Sequence, residues 1–300
     1  MTDFPIALWS MNLGFAPASP EAFVARVEAR MAEAAQAGAR LLMLPEYAVE
    51  SCLAFKPAGL PETGEIAFLA GVAETLVPAL AALPAKHGLS LLAGSMPWRV
   101  EAGGRAGFVN RAFLFAADGR TLVHDKLSLT PAEQDDDAWR LQPGSTLTVF
   151  ELEGLRMAML ICLDVEMPAL SCLLAKENLD LLLVPSMTEM RSGFHRVYDC
   201  AKARAVELMT TVAVCGCVGA AKGTTQNPTN VSGAALFTPC EPELDFDGRP
   251  VFLPPTGGEA GEEPFVVVRL PVDAVRALKA GGAEVWPGAW TADHVRVARV

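Results

Sequence analysis

Three side chains able to attack, deprotonate and polarise a carbonyl each stand where an apolar run ends. Cys162 closes the run Met157-Ala158-Met159-Leu160-Ile161 and is followed by Leu163-Asp164-Val165-Glu166-Met167-Pro168. Glu46 follows Leu41-Leu42-Met43-Leu44-Pro45, and Lys126 follows Thr121-Leu122-Val123-His124-Asp125. Short apolar runs of this kind read as buried strands, and the mouth of a strand is where α/β enzymes hold reactive groups. A thiol, a carboxylate and an ammonium are the parts that amide cleavage needs: a nucleophile, a proton carrier, and positive charge facing the carbonyl oxygen as it turns anionic. Taken singly, each also fits a plainer role, as a core thiol, a strand-end carboxylate or a solvated lysine.

The surrounding text sets the three apart. Leu44-Pro45-Glu46-Tyr47, Lys126-Leu127-Ser128-Leu129-Thr130-Pro131-Ala132-Glu133 and Ile161-Cys162-Leu163-Asp164-Val165-Glu166-Met167-Pro168 resemble, in order and spacing, the signature blocks of the nitrilase superfamily of carbon–nitrogen hydrolases. The resemblance runs on through 181–188, which is similar to the family's next strand and substrate loop, through the helix text Ala203-Arg204-Ala205-Val206-Glu207, and through the strand text of 232–239. Leu163 stands where an aromatic residue is common, Met167 where phenylalanine is usual, and Leu208-Met209 where Asn-Gln is frequent; the three catalytic positions are intact.

What the resemblance implies is specific. The fold class is α/β, a four-layer α-β-β-α sandwich. Cys162 attacks and forms a thioester, Glu46 carries the proton, and Lys126, with a backbone N–H after Cys162, stabilises the oxyanion and the thiolate. Glu133 matches a second glutamate beside the lysine, although it also opens the acidic run 133–137 and so fits a solvated turn. Tyr47, Leu163, Asp164, Met187, Thr188 and His195 are implied as substrate-binding residues. Cys-x-Asp at 162–164 resembles the amidase branches rather than the nitrile-hydrolysing branch, which typically has Cys-Trp-Glu. A homodimer or larger homo-oligomer is implied, with no cofactor and no metal. A rival reading is a Cys-His thiol hydrolase with His195 or His124 as base; His124 fits strand packing better.

Elements must position these groups. Residues 5–13 read as a first strand. Ser19-Pro20-Glu21 supplies an N-cap, an N1 proline and a first-turn carboxylate; Phe23, Val27, Met31 and Ala34 follow at helical spacing, and Gly38 is placed to stop the helix. A second helix is predicted over 65–87, with Pro78 and Pro84 expected to bend or interrupt it, and 90–94 is another strand. Asp118-Gly119 and Glu153-Gly154 each sit between apolar runs and signal hairpins whose second arms lead to Lys126 and Cys162. Later strands are predicted at 181–184, 211–217, 234–237 and 265–270, and helices near 169–177 and 195–209. Periodicity alone yields a mixed sheet system with helices outside.

Three hundred residues, 51% of them hydrophobic, suffice for one large core. The irregular stretches 102–107, 224–231 and 253–264 are each of loop length. The chain therefore reads as a single carbon–nitrogen hydrolase domain over 1–300, with 271–300 as a C-terminal extension packing on the domain or on a partner subunit. Net charge is −11, from 35 acidic against 24 basic residues, which disfavours nucleic acid and anionic membrane as partners. The start lacks a basic segment followed by an apolar one, and the longest weakly polar run, 208–221, is shorter than the ~20 residues that cross a bilayer. A cytoplasmic location is expected. Seven scattered cysteines show no disulfide framework, and Cys215 and Cys217 lack a second pair to hold a metal.

The leading expectation is hydrolysis of a small linear amide to an acid and ammonia. N-carbamoyl or nitrile hydrolysis on the same site, acyl transfer to an amine, and a catalytically silent binding protein are the alternatives. The negative charge favours an uncharged or cationic substrate, unless Arg191 or Arg196 enters the pocket.

Overall fold

A computed structural model describes residues 4–102 and 105–299. The strands of the first half are β1 (Pro5–Trp9), β2 (Leu41–Met43), β3 (Ser90–Ala102), β4 (Arg105–Phe115) and β5 (Thr121–Asp125). Those of the second half are β6 (Val149–Leu152), β7 (Leu155–Met159), β8 (Leu181–Ser186), β9 (Thr211–Gly216), β10 (Ser232–Phe237), β11 (Val251–Thr256) and β12 (Phe265–Arg269). They form two six-stranded sheets, ordered β12-β1-β2-β3-β4-β5 and β11-β10-β9-β8-β7-β6. In each, three central strands run parallel and the outer ones pair antiparallel.

The period-two alternation of side chains decides what each strand touches. From the first sheet, Ile6, Leu8, Leu41, Met43, Leu92 and Leu114 face the second sheet and join one core with Leu182, Val212 and Val214. Their neighbours Ala7, Trp9, Leu42, Leu91, Phe113 and Phe115 face the opposite way, against α1 (Pro20–Gln36) and α2 (Glu65–His87). The predicted stripe of α1, Phe23, Val27, Met31 and Ala34, is the face it buries, and the Ser19 side chain accepts from the Ala22 N–H as its cap. On the far side, Phe194, Val197, Tyr198 and Ala201 of α6 (Arg191–Glu207) cover the second sheet. The result is the four-layer α-β-β-α sandwich that the resemblance implied.

Several details differ from the sequence reading. Helix α2 is unbroken through Pro78 and Pro84. Pro78 is exposed, on the side where a carbonyl left without its donor can bond water, and Pro84 lies in the last turn, where its own carbonyl accepts from Gly88. The helical stretch 62–87 is also long and apolar enough to cross a membrane by length and composition, unlike the 208–221 run; its Leu69, Ala73, Leu76 and Leu80 pack on the first sheet. The stretch read as a loop at 102–107 belongs to a long hairpin of β3 and β4, with 103–104 outside the described residues. Another loop assignment, 253–264, hides all but the first two residues of β11, whose half-exposed alternation with two prolines suits a sheet edge.

Beyond β12, Val272 of α7 (Val272–Ala277) enters the core between the sheets, while Val275 and Leu278 pack on Met209 and Leu244. Arg276 pairs with Asp180, and the Trp286 indole N–H donates to the Glu207 carbonyl at 3.4 Å.

Candidate active site

Each reactive side chain leaves its strand through a constrained turn. Cys162 joins β7 to the helical turn α4 (Leu163–Glu166) with φ 47° and ψ −105°, and its N–H donates to the Pro185 carbonyl at 3.0 Å. A non-glycine residue held there stores roughly 1–3 kcal/mol of strain. The chain after β2 turns sharply through Glu46 and Tyr47 (φ 51°) into the 3-10 helix Ala48–Phe55. Gly94 of β3, at φ +70°, makes that turn possible, because a Cβ there would lie 1.9 Å from the Pro45 carbonyl oxygen. Lys126 is tied by its N–H to the Asn110 carbonyl at 2.9 Å.

Glu133 reaches the same point from α3 (Pro131–Gln134). Its N–H donates to the Thr130 hydroxyl at 3.3 Å while its carboxylate accepts from the Thr130 N–H at 2.9 Å, a capping box that aims the carboxylate inward. It is therefore no solvated turn residue.

The charged groups meet out of water. Lys126 Nζ donates to Glu46 Oε1 at 2.8 Å and to Glu133 Oε1 and Oε2 at 2.9 and 2.8 Å. The Tyr47 hydroxyl donates to Glu133 Oε1 at 2.8 Å, and Asn110 Nδ2 donates to Glu46 Oε1 at 2.8 Å and to Glu133 Oε1 at 3.3 Å. The Cys162 thiol faces the Met187 carbonyl at 3.3 Å.

Two carboxylates sharing one ammonium are pushed apart in proton affinity. Burial works against charge on Glu133, but Lys126 outweighs it, helped by the Thr130 N–H and the Tyr47 hydroxyl, and holds this carboxyl below its ordinary value. Burial dominates at Glu46, and with the negative charge of Glu133 it overcomes Lys126 and raises that carboxyl to about 7. Lys126 is itself opposed by burial, yet the two carboxylates keep its ammonium protonated. Cys162 is pushed well up, first by burial and then by the charge of Glu46, against the pull of Lys126. In this arrangement burial and Glu46 outweigh the pull of Lys126 and favour the protonated thiol, against the expectation of a thiolate held by Lys126.

Glu46, Tyr47, Lys126, Glu133, Cys162 and Met187 line a cavity of about 430 Å³. Tyr47 and Trp139, edge to face at 4.9 Å, form part of its wall, with Leu163, Met187 and Thr188 also lining it. Two implied substrate residues lie elsewhere. Asp164 is fully buried outside the cavity, its carboxylate taken up by backbone N–H groups of Leu127, Ser128 and Ile161. His195 is exposed and faces Asp199 one helical turn along α6, at 3.9 Å; Arg196 takes the rim position instead, 3.3 Å from Glu166. Arg191 does not line this cavity. His124 is buried in β5 and lies away from it, so neither histidine can serve Cys162 as base.

Asn110 went unread in the sequence. It is a lone amide in the apolar stretch Phe108-Val109-Asn110-Arg111-Ala112-Phe113, and such an interruption of a buried strand was the available signal. Trp139, Gln226 and Asn227, also on the cavity wall, lie in loop text with no periodicity to mark them. Cys215 and Cys217 are buried singly, their thiols donating to the Met43 and Glu46 carbonyls, and no group of ligands that could hold a metal occurs among the described residues.

Comparison with known proteins bears on the family and the fold. The carbon–nitrogen hydrolase family model matches residues 6–236. A probable hydrolase of Bacillus subtilis, YhcX, is 28% identical over 228 residues, which cover 76% of this chain and 43% of that protein. The omega-amidase NIT2 of Danio rerio is 30% identical over 174 residues, covering 56% of this chain and 58% of the relative. The chain thus spans about half the length of the curated relatives it matches. Among solved structures, an amidase from Nesterenkonia sp. superposes with a TM-score of 0.67 at 23% identity over 92% of this chain and 94% of that one. A CN-hydrolase superfamily protein of Xanthomonas campestris, with an arsenic adduct in its active site, gives 0.70 at 18% identity over 93% and 95%.

Proposed function

This chain belongs to the carbon–nitrogen hydrolase family of the nitrilase superfamily, and from that premise we propose that it hydrolyses a small linear amide to an acid and ammonia through a thioester on Cys162. The observation that supports this reading is the buried Glu46–Lys126–Glu133 cluster beside the Cys162 thiol, all four lining one cavity. A neutral thiol next to a carboxyl poised near neutrality is a pair that can pass one proton back and forth.

In the proposed cycle the Cys162 sulfur attacks the amide carbon as its proton passes to Glu46. The carbonyl oxygen takes up the electron pair and faces the Lys126 ammonium and the Leu163 N–H. Collapse breaks the carbon–nitrogen bond, and Glu46 returns the proton to the departing nitrogen, releasing ammonia and leaving the thioester. Water then gives a proton to Glu46 and attacks the thioester carbon; the acid leaves and the sulfur regains its proton. Glu133 keeps Lys126 charged and aimed throughout, and Asn110 orients both carboxylates.

Four carboxylates, Glu46, Glu133, Glu166 and Glu189, line the cavity against two cations, Lys126 and Arg196. That balance supports an uncharged or cationic amide over one carrying a distal carboxylate. Amides are proposed over nitriles because an amide arrives with an oxygen for the lysine, whereas a nitrile must first form a thioimidate. Asp164 lies outside the cavity, so the Cys-x-Asp pattern supports this preference only as a resemblance and not through contact with substrate. An ammonia-release screen over matched amides, N-carbamoyl compounds and nitriles tests the reading. Release from amides that vanishes in Cys162→Ala supports it, and nitrile turnover equal to or faster than amide turnover across several pairs refutes it.

A further inference from the structure

Lys126 and Cys162 come from different sheets, through β5 and β7, so their separation is not set by any shared strand ladder. Among the described residues, the hydrogen bonds between the segment after Lys126 and the segment around Cys162 all end on one side chain. Asp164 Oδ1 accepts from the Ser128 N–H at 2.6 Å and the Leu127 N–H at 3.1 Å, and Oδ2 accepts from the Ile161 N–H at 3.1 Å and again from the Leu127 N–H at 3.3 Å. The Asp164 N–H in turn donates to the Ile161 carbonyl at 3.0 Å. The carboxylate is fully buried and touches no substrate-accessible surface of the cavity. Its other close polar neighbour is His124 Nε2 at 3.7 Å, on a ring whose two nitrogens form no hydrogen bond.

We propose that Asp164 is a positioning residue that sets the Lys126 loop against the Cys162 turn, and so fixes where the ammonium stands relative to the attacked carbonyl. The inference rests on the hydrolytic reading above for its kinetic consequence, though not for its structural one. A carboxylate suits the task because both of its oxygens only accept, and the donors converge on it from both segments. An asparagine of the same shape presents an N–H where one of these oxygens accepts, and because Leu127 donates to both oxygens, either orientation weakens the bonds that hold the Lys126 loop or the Cys162 turn while the volume is unchanged. Displacing a charged group by an ångström relative to the reacting atoms reduces turnover on the order of 100-fold.

The test is Asp164→Asn, compared with the wild-type chain on an amide that Cys162→Ala no longer hydrolyses. Iodoacetamide titration of Cys162 by mass gives the fraction of intact sites, and kcat is expressed per titrated thiol. The expected result is a loss in kcat on the order of 100-fold, with KM changed by much less, and faster hydrogen exchange at Leu127 and Ser128 or at Ile161. A purely structural role would lower the titratable fraction and the melting temperature while leaving kcat per thiol at the wild-type level, and that result overturns the proposal. If the variant does not fold, exchange in the wild-type chain decides: Leu127 and Ser128 protected as strongly as Ile161 supports the proposal, and exchange as fast as in exposed loops overturns it. Should the wild-type chain release no ammonia from any amide, the hydrolytic reading fails while the exchange result still stands on its own.

Discussion

Glu46 must be without a proton when Cys162 gives one up, yet burial and Glu133 raise its carboxyl to about 7. The ionised form is the competent base, so kcat/KM should fall as pH drops through about 7. A profile flat from pH 8 down to 5.5 would remove Glu46 from that role. The upward push on the Cys162 thiol leads to a second expectation. Cys172 and Cys240 are exposed whereas Cys162 is 6% accessible, so a bulky thiol reagent should modify the exposed pair first. Iodoacetamide, itself a small amide, should reverse that order by entering the cavity and using Glu46 as base, with activity lost in step with Cys162 labelling. Mass spectrometry after brief substoichiometric treatment reads the order directly, and preferential labelling of Cys172 or Cys240 would contradict it. Glu46, Lys126 and Cys162 were legible because each ends an apolar run and sits in family text. Asp164 and His195 were misplaced because sequence adjacency to a site does not reveal which way a side chain turns: one folds back onto backbone donors, and the other follows the solvent face of α6.

The 3-10 helix Ala48–Phe55 carries a buried carboxylate that the proposed reaction does not use. Glu50 accepts from the Thr224 hydroxyl at 2.7 Å through Oε1, while Oε2 has no hydrogen-bond partner. Burial raises it to about 7, with Glu65 and Glu46 adding repulsion. Since its folded value exceeds the unfolded one, stability is highest below the unfolded value and is lost as pH rises through about 7. Glu50→Gln removes that loss, so the variant should match wild type near pH 5 and exceed it near pH 8.5 by up to about 3 kcal/mol. Urea denaturation at both pH values measures the difference, and an equal or negative difference at pH 8.5 would show that the ionised group is compensated. Elements were otherwise legible to the extent that their signal is local. The cap, proline and stripe of α1 lie within its own segment, whereas the tolerance of Pro78 in α2 depends on which side of the helix meets water.

At the scale of the whole molecule, strand order was the least legible feature, because pairing is a relation between distant segments and periodicity reports only what each segment buries. The family text supplied the layers; nothing local marks β12 as a partner of β1. Yet residues 265–269 pair antiparallel with 5–9, Trp9 opposite Phe265 and Pro5 opposite Arg269, across the entire second sheet in sequence. Synthesis runs from the N-terminus, so β1 is made before β12 and lacks this neighbour until every intervening strand has left the ribosome. During that interval one edge of the first sheet offers unpaired backbone donors and acceptors to any other strand. A chain stopped at Pro264 makes the interval permanent and should self-associate under conditions where the 300-residue chain does not. Light scattering across a concentration series distinguishes them, and a truncated chain that scatters no more than the 300-residue one would mean that the β1 edge is guarded by something other than β12.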